Sequence, residues 1–305
     1  MRDLNTRELP DNLSEVISLT STAHLTKKNE KKYHDSEEWR DLYHRAKTQG
    51  DIDAAFTVVT KLMASKEKEL RALCESLQGE KVTLVPVLSE TNSKNVLPAA
   101  YALALEELLD AKICYDVEKK NSQKLTNSTI SNRLPSTLEF QGKPENTQGK
   151  FIIVDDNFTS GKTITSLMAH LQKHECEIHC VMTLASSRYS KRLRPTDEQI
   201  ERVFEELKLD NNKLKEITGH GIEQFTGAEL QSIILMRCND KQQWFRDTYS
   251  RPVQGTGRNH ETEDARTTEE LNQGLKETKK ISLRERGMRG IKTQHRTGLR
   301  RNANL

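Results

Sequence analysis

Four short apolar runs constrain the fold of this chain more than any other feature of its sequence. They lie at 82–88, 112–115, 151–154 and 178–184. Runs of this length, with helical stretches at 98–109 and 163–173 between them, are typical of buried parallel strands that are joined by crossover helices. The sequence therefore predicts an α/β fold with a parallel sheet flanked by helices.

The segments around these runs predict how the chain is divided. Residues 1–33 are polar with scattered apolar positions and predict a flexible N-terminal arm, whereas apolar residues at helical spacing predict a helical hairpin that begins near Trp39. The polar stretch 116–149 is too long for an ordinary connection and is typical of a lid or binding loop. We expect one domain over 34–250 and a disordered tail over 251–305, which holds no aromatic residue.

The positive charge is concentrated in that tail. Residues 251–305 hold thirteen lysines and arginines against seven acids, whereas the whole chain carries a net charge of only +3. Nine of these cations lie within 279–301, where Glu285 is the one acid. Such clusters bind polyanions, including nucleic acid, through counterion release. Without aromatic side chains for stacking, any nucleic-acid contact is expected to be non-specific, and a purely solubilising tail is the alternative.

Cellular location is predicted from what the sequence lacks. No stretch approaches the roughly 20 apolar residues that a membrane-spanning helix needs, and no secretory signal follows the N-terminal residues. The five cysteines form no CxxC pair. We therefore expect a cytoplasmic protein with reduced thiols and no membrane contact.

Histidines and cysteines are dense in one part of the sequence, at His170, His174, Cys176, His179 and Cys180. His170 and His174 fall on a predicted helix, whereas His179 and Cys180 are neighbours in a predicted strand and project to opposite faces. Their spacing matches no zinc pattern. We therefore predict no metal site from these residues.

The segment 151–164 carries the strongest chemical signal. A predicted buried strand leads into Asp155 and Asp156, at the edge where open α/β sheets bind ligands. Two neighbouring carboxylates suit a vicinal diol, because each accepts a hydrogen bond from one ribose hydroxyl. The next turn opens a helix, and its backbone N–H groups, hydroxyls and positive helix end suit one phosphate. The segment therefore predicts a ribose 5-phosphate site, with phosphate-binding residues Thr159, Ser160, Gly161, Lys162 and Thr163.

Two other interpretations of this segment are weaker. Gly161-Lys162-Thr163 matches the second half of a P-loop, but that pattern needs glycine where this chain has Asp156, and an acid there repels phosphates. A plain strand–loop–helix connection is the second alternative. Two acids and a hydroxyl-rich turn are more than such a connection needs.

The motif also resembles a known family. Four apolar residues, two acids and then Thr-Ser-Gly-Lys-Thr resemble the phosphoribosyl pyrophosphate (PRPP) motif of type I phosphoribosyltransferases. The resemblance covers about residues 80–190. The strand 82–88 and the loop 89–95 look like that family's first strand and pyrophosphate loop, and 116–149 lies where the family carries its mobile hood. The helical hairpin and the helix start at 95–100 also resemble an uncharacterised bacterial and mobile-element subgroup.

The resemblance implies an enzyme of nucleotide metabolism that transfers ribose 5-phosphate from PRPP to a nitrogenous acceptor and releases pyrophosphate. It implies three catalytic residues, with Asp155 and Asp156 on the ribose hydroxyls and Lys94 on the departing pyrophosphate. Mg²⁺ would bridge the ribose hydroxyls and the pyrophosphate, mainly through oxygen ligands and water. Further residues of the pyrophosphate loop would be Ser89, Glu90, Thr91, Asn92 and Ser93. The hood would exclude water, with candidate cations Lys119, Lys120, Lys124 and Arg133. A homodimer is a further expectation.

The acceptor is the least determined part of this prediction. Hypoxanthine-guanine members of the family place an aspartate where this chain has Thr159, so a 6-oxopurine acceptor is not expected. The loop after the fourth predicted strand is where such enzymes often read the base: Arg188 would hydrogen-bond a carbonyl and Tyr189 would stack, although a solvated loop fits the sequence equally well. The alternative function is a non-catalytic protein that senses PRPP or a nucleotide, or binds nucleic acid, with the same fold.

Overall fold

The structure, a computed structural model, describes residues 9–10, 12–26, 37–89, 94–120, 130–135, 138–187 and 191–250. Its strands are β1 (Ile17–Ser21), β2 (Val82–Pro86), β3 (Lys112–Ile113), β4 (Glu118–Lys120), β5 (Glu139–Gln141), β6 (Lys150–Phe158) and β7 (Glu177–Ser186). Its helices are α1 (Thr22–Thr26), α2 (Glu37–Thr48), α3 (Ile52–Ala64), α4 (Glu67–Ser76), α5 (Leu97–Leu109), α6 (Ile130–Arg133), α7 (Lys162–Gln172), α8 (Asp197–Leu207), α9 (Asn211–Thr218), α10 (Gly227–Ile234) and α11 (Lys241–Ser250). Of these described helices, none has the length and apolar composition that crossing a bilayer requires.

Five of the strands form one parallel sheet in the order β1-β7-β6-β2-β3. In the central strand β6, Ile152 lies opposite Leu84 of β2, and Asp155 lies opposite Thr183 of β7. Residues 151–154 are completely buried, and α5 and α7 both pack on β6. A continuous apolar run is what a strand covered on both faces needs. The predicted α/β fold with a parallel sheet flanked by helices is therefore confirmed.

All four strands differ in length from the predicted runs: β2 and β3 are shorter, whereas β6 and β7 are longer. β6 continues to Phe158 because β7 pairs with it as far as Ser186, beyond the point where β2 ends at Pro86. The two acids therefore lie inside the strand, whereas the sequence places them after it. β3 is limited to Lys112–Ile113.

β1 adds an edge strand from the N-terminal segment. Ile17 lies opposite Met182 and Ser21 lies opposite Ser186, so β1 pairs in parallel with β7. The neighbouring apolar side chains are buried in the main core, namely Leu13, Val16, Leu19 and Leu25. The structure here differs from the predicted flexible arm, because the scattered apolar positions belong to a short strand and helix that are too brief to show a period.

α2 and α3 form the predicted helical hairpin. Asp51 caps α3 by accepting a hydrogen bond from the Ala54 amide (2.9 Å), and it also accepts one from Arg45 Nε (2.8 Å) in the last turn of α2. α2 packs on α3, and α3 packs on α5. This stack places the end of α2 beside the residues that precede α5, where the Val96 amide donates to Ala46 O (3.2 Å).

A second hydrophobic core lies in the C-terminal bundle, which we define as α8 to α11. Leu230 of α10 and Phe245 of α11 are completely buried in it, together with Leu134 from the predicted hood. Thr226 and Glu229 form a capping box at the start of α10. Such a box satisfies two amides of the first helical turn and fixes where the helix begins.

The predicted hood contains a small ribbon in which β4 and β5 pair antiparallel. Between these strands, Ser131 of α6 accepts a hydrogen bond from Trp244 Nε1 of α11 (3.1 Å). After β5, Gly142 O accepts one from His170 Nε2 of α7 (2.8 Å). The described hood residues are therefore attached both to the C-terminal bundle and to α7.

Candidate functional site

The predicted site residues that the structure describes lie where β2, β6 and β7 end. The Val87 amide, just after β2, donates to Val154 O of β6 (2.9 Å). The Ser187 amide, just after β7, donates to Phe158 O at the end of β6 (2.8 Å). The two acids lie on β6 between these points. The carboxyl ends of parallel strands are the edge at which open α/β sheets bind ligands.

Asp155 is a buried carboxyl group with a relative exposure of 7%. Its Oδ1 accepts a hydrogen bond from the Asp156 backbone amide (2.8 Å). Burial, and after it the charge of Asp156, raises the pKa of Asp155 well above its ordinary value of 3.8. The ionised pair is therefore stabilised by any cation or hydroxyl donor placed beside it.

Asp156 is paired with a lysine from α2. Lys47 Nζ donates to Asp156 Oδ2 (2.6 Å) and to Tyr43 Oη (3.1 Å). Burial opposes the charge of Lys47, but Asp156 and Tyr43 together raise its pKa above the usual value. Burial, followed by the charge of Asp156, raises the pKa of Tyr43 to about 12. Lys47 is thus a permanent cation at the acid pair.

The hood brings a second lysine to the acids. The Lys119 amide donates to Leu88 O (2.8 Å), and Lys119 forms a parallel bridge with Ser89. Burial lowers the pKa of Lys119, and the negative charge of Asp155 opposes that effect. The charges of Lys119 and Asp155 therefore favour each other, and Lys119 is the described hood cation whose pKa responds to the acid pair.

Gly161 shapes the turn that joins β6 to α7. Its φ of +83° is left-handed, a conformation that favours glycine. A Cβ atom there would lie 2.8 Å from the Phe158 ring and 2.9 Å from the Thr226 methyl group. α7 begins at the next residue, and the first-turn amides of a helix suit a phosphate. Thr159 is exposed and Thr163 half-buried, so solvent reaches both ends of the turn.

The C-terminal bundle packs on this turn through Thr226. Its Oγ1 donates to Ser160 O (2.6 Å), and both residues are buried. The same oxygen accepts a hydrogen bond from the Glu229 amide (2.9 Å) and so caps α10. The conformation of the predicted phosphate-binding turn therefore depends on where α10 begins.

The ammonium group of Lys162 lies apart from the rest of the turn. It donates to Leu134 O (2.6 Å) and lies 3.6 Å from Glu229 Oε1. The Lys162 and Glu229 side chains are only 4% and 1% exposed. The ammonium therefore lies in a junction between hood, turn and bundle, and the predicted role of Lys162 in substrate binding rests on its backbone amide.

The structure describes the two ends of the predicted pyrophosphate loop. Ser89 lies beside Lys119 at one end, and Lys94 is exposed at the other. Lys120, the neighbouring hood cation, faces Glu139 across the ribbon at 3.9 Å. The predicted site residues outside the described part are Glu90, Thr91, Asn92, Ser93, Arg188 and Tyr189, and the hood residue Lys124 and the segment 279–301 also lie outside it. The side chain of Arg133 is likewise outside the description.

An open groove of about 800 Å³ adjoins the carboxyl ends of β1 and β7. Ser186 and Ser187 line it on the side of the sheet, and Gln199 and Arg202 of α8 line it on the side of the C-terminal bundle. Ser186, Ser187 and Lys191 belong to the predicted acceptor loop 186–191 and line the groove. The described lining therefore offers hydroxyl, amide and guanidinium groups.

Among the described residues, no group of three or more histidine, cysteine or acidic side chains is arranged to hold a metal ion. The ring of His170 packs edge-on against His174, with centroids 5.1 Å apart. Burial raises the pKa of the Cys176 thiol to about 11 and that of Cys180 to about 12. These side chains contribute packing to α7 and β7.

Lys47, Tyr43 and Glu229 are site residues that sequence reasoning misses. Lys47 lies 109 residues before Asp156, and a lysine in the last turn of a helix is already explained by the helix dipole. Thr226 and Glu229 do carry a sequence signal, because their spacing is that of a capping box. That signal predicts the start of α10 but not its contact with the turn.

Comparison with known proteins gives one family match. A family model described as a phosphoribosyl transferase domain matches residues 50–215, a range that holds both acids and the turn. Protein TraN of Escherichia coli is 26% identical over 188 residues, which covers 61% of this chain and 41% of TraN. The matched part thus spans about two fifths of the length of that curated relative.

Solved structures with a similar arrangement include two phosphoribosyltransferases. A purine phosphoribosyltransferase from Pyrococcus horikoshii Ot3 is 18% identical with a TM-score of 0.27, and the match covers 41% of this chain and 75% of that one. A hypoxanthine phosphoribosyltransferase from Staphylococcus aureus is 15% identical with a TM-score of 0.30, and the match covers 45% and 65%. Scores of this size carry no argument about substrate, so the family assignment rests on the sequence match.

Proposed function

We propose, since this chain belongs to the phosphoribosyl transferase domain family, that it binds PRPP and transfers ribose 5-phosphate to a nitrogenous acceptor with release of pyrophosphate. One observation carries the proposal: the buried acids Asp155 and Asp156 lie near the end of β6, and the Gly161 turn that follows this strand opens α7. Acids that accept hydrogen bonds from ribose hydroxyls and amides that bind a phosphate are the two halves of a ribose 5-phosphate site.

In this proposal the ribose is held by the two carboxylates and its 5′-phosphate by the turn. Asp155 and Asp156 accept hydrogen bonds from the hydroxyls, and the backbone amides at the start of α7 donate to the phosphate. The hydroxyls of Thr159 and Thr163 add donors at the accessible ends of the turn. Because β6 and α7 are anchored in the core, the sugar is oriented with little loss of protein entropy.

The leaving pyrophosphate lies against the loop between Ser89 and Lys94. The acceptor nitrogen attacks C1′ while the bond from C1′ to the pyrophosphate oxygen breaks, through an oxocarbenium-like state. Lys94 stabilises the charge that develops on the departing group, and the hood with Lys119 excludes water that would otherwise hydrolyse PRPP. Catalysis of this kind relies on positioning and electrostatics.

A Mg²⁺ ion fits this chemistry as a companion of the substrate. Mg²⁺ keeps several water ligands and commonly uses one or two carboxylates together with substrate phosphates. Asp155 and Asp156 are carboxylates of that kind, and no larger set of metal-binding side chains occurs among the described residues. When bound, the ion supplies charge neutralisation for the pyrophosphate.

The acceptor side of the site is assigned to the end of β7. Arg188 and Tyr189 follow Ser187, which lines the groove beside α8. Hydroxyl and amide side chains in this groove favour an acceptor that offers several hydrogen-bonding groups. The acceptor is therefore a polar nitrogenous molecule in this proposal.

The proposal extends to the whole chain. The domain over 34–250 carries the site, and the tail over 251–305 contacts nucleic acid non-specifically through its cations at 279–301. The five cysteines all fall in the described part, and none forms a disulfide. Reduced thiols and a phosphorylated sugar substrate both fit a cytoplasmic location. A homodimer is the assembly we propose.

The experiment that tests the site is isothermal titration of PRPP in the presence of Mg²⁺. The double variant Asp155→Asn/Asp156→Asn should lose about 100-fold or more in affinity, because it alters two hydrogen bonds to charged groups that each contribute about 1.5–3 kcal/mol. Asp53→Asn, which changes an exposed acid on α3, is the matched control and should bind as wild type does. PRPP binding that survives the double substitution would contradict the site.

Turnover is measured separately from binding. Pyrophosphate release is followed while purine and pyrimidine bases and small amines are offered with PRPP. Release that depends on one acceptor class supports transfer. Tight PRPP binding without release for any acceptor would instead support the sensing function.

A further inference from the structure

Lys47 of α2 has no part in the transfer mechanism proposed above, although it contacts one of the two acids. Lys47 Nζ contacts Asp156 Oδ2 at 2.6 Å and Tyr43 Oη at 3.1 Å. We infer that Lys47 is a second pyrophosphate-binding cation, which acts beside Lys94 when PRPP occupies the site. This inference rests on the proposed PRPP binding and adds a residue to it.

The chemistry of the sugar places the pyrophosphate next to Lys47. In PRPP the pyrophosphate oxygen is attached to C1, and the neighbouring carbon carries a hydroxyl of the diol that the acids hold. A cation bound to the carboxylate of Asp156 is therefore a close neighbour of the first phosphate. The Lys47 ammonium group has three N–H donors, and its contacts with Asp156 and Tyr43 use two of them. In the bound state the third N–H donates to the pyrophosphate.

The packing of α2 supports the same position. Ala46, the residue before Lys47, accepts a hydrogen bond from the Val96 amide (3.2 Å). Gly50, just after α2, has the Lys94 carbonyl oxygen 3.8 Å from where its Cβ would be. The last turn of α2 therefore packs on the end of the predicted pyrophosphate loop, and Lys47 and Lys94 come from two segments that touch.

The exposure of the pair is consistent with access by a ligand. The Lys47 side chain is 24% exposed and that of Asp156 is 9% exposed. A purely structural ion pair would hold α2 against β6 and would affect every ligand of the acids equally. A pyrophosphate-binding cation distinguishes ligands that carry pyrophosphate from those that do not. This difference makes the two roles separable by measurement.

The test compares two ligands by isothermal titration at a fixed Mg²⁺ concentration: PRPP, and ribose 5-phosphate, which lacks the pyrophosphate. Lys47→Met should weaken PRPP binding by about 10- to 100-fold, the loss of one charge-assisted hydrogen bond. Its affinity for ribose 5-phosphate should stay within about twofold of wild type or increase, because Asp156 is freed for the ribose hydroxyl. Lys47→Gln, which keeps donors for Tyr43 and Asp156, should show the same selective loss.

The matched control is Lys150→Met. Lys150 is paired with Glu177 at the opposite end of β6, and its side chain is also 24% exposed. The Lys150→Met variant should bind both PRPP and ribose 5-phosphate as wild type does. Equal loss of both ligands in the two Lys47 variants, or unchanged PRPP affinity in them, would overturn the inference while leaving PRPP binding by wild type intact. Failure of wild type itself to bind PRPP would refute the proposed function and this inference with it.

Discussion

The buried pair between Lys162 and Glu229 is one of the contacts that join hood, turn and bundle. Glu229→Gln removes the negative charge but leaves an amide oxygen that can accept from the Thr226 amide, as Glu229 Oε2 does now at 2.9 Å. The Lys162 ammonium then keeps the hydrogen bond to Leu134 O and loses its anion. The variant therefore isolates the charge of Glu229 from its capping role.

The expected loss follows from burial. With side chains 4% and 1% exposed, neither group can be compensated by water. Removing one partner of a buried pair costs about 3–5 kcal/mol. Because the pair is 3.6 Å apart and Leu134 O remains as an acceptor, we expect a loss of about 3 kcal/mol. For a domain of this size, that lowers the melting temperature by about 6–12 °C.

The assay is thermal unfolding followed by circular dichroism, repeated in urea to obtain the free energy of unfolding. Lys162→Met added to Glu229→Gln should recover most of the loss, since no unpaired charge then remains buried. Glu69→Gln, which removes the anion of the exposed pair with Lys66, should leave the melting temperature unchanged. A melting temperature of Glu229→Gln within about 2 °C of wild type would refute the expected charge effect. So would a double variant whose loss of stability equals the sum of the losses of Glu229→Gln and Lys162→Met measured singly.

Three further results are expected. Because the pKa of Asp155 is raised above its ordinary value of 3.8, the folded state holds a proton that the unfolded chain releases. The free energy of unfolding should therefore fall as the pH rises through the raised pKa. Asp155→Asn should remove this fall when unfolding is measured from pH 4 upward. Gly161→Ala should cost about 2 kcal/mol or more in urea unfolding, because a left-handed φ is unfavourable for alanine and its Cβ would meet Phe158 and Thr226; a smaller loss would mean that the turn relaxes freely. Deletion of 251–305 should leave PRPP affinity intact and abolish salt-sensitive binding of nucleic acid in filter-binding assays; equal loss of both would contradict a separate tail.

The sheet could be predicted because its central strands are buried on both faces. Residues 151–154 must all be apolar when α5 and α7 cover the strand, and that leaves a continuous apolar run in the sequence. The sequence of β1 has no such apolar run. β1 is an edge strand of Ile17–Ser21 in which only Leu19 is buried, so its sequence is indistinguishable from a polar segment.

The order of strand, acids, turn and helix around Gly161 could also be predicted, because these residues are contiguous in sequence; the roles of the acids and the turn stay predictions. Lys47 could not be predicted, since nothing within α2 indicates that its last turn meets β6. The same is true of the Lys162 ammonium, whose partners include Leu134 O and Glu229, 28 and 67 residues away. Contacts between distant segments are determined by how the elements pack, and single-sequence patterns report only local structure.

The family match and the second core together define the smallest unit that can carry the site. The match ends at residue 215, within α9, yet the hydrogen bond to Ser160 O comes from Thr226 and the anion beside Lys162 comes from Glu229. α11 adds a hydrogen bond to Ser131 of the hood. A chain cut at the end of the match would expose the side of the turn that Thr226 now covers and leave the Lys162 ammonium without its anion. The bundle beyond the matched region therefore supports the predicted phosphate-binding turn through Thr226 and Glu229, and we expect an intact site only in a chain that includes α8 to α11.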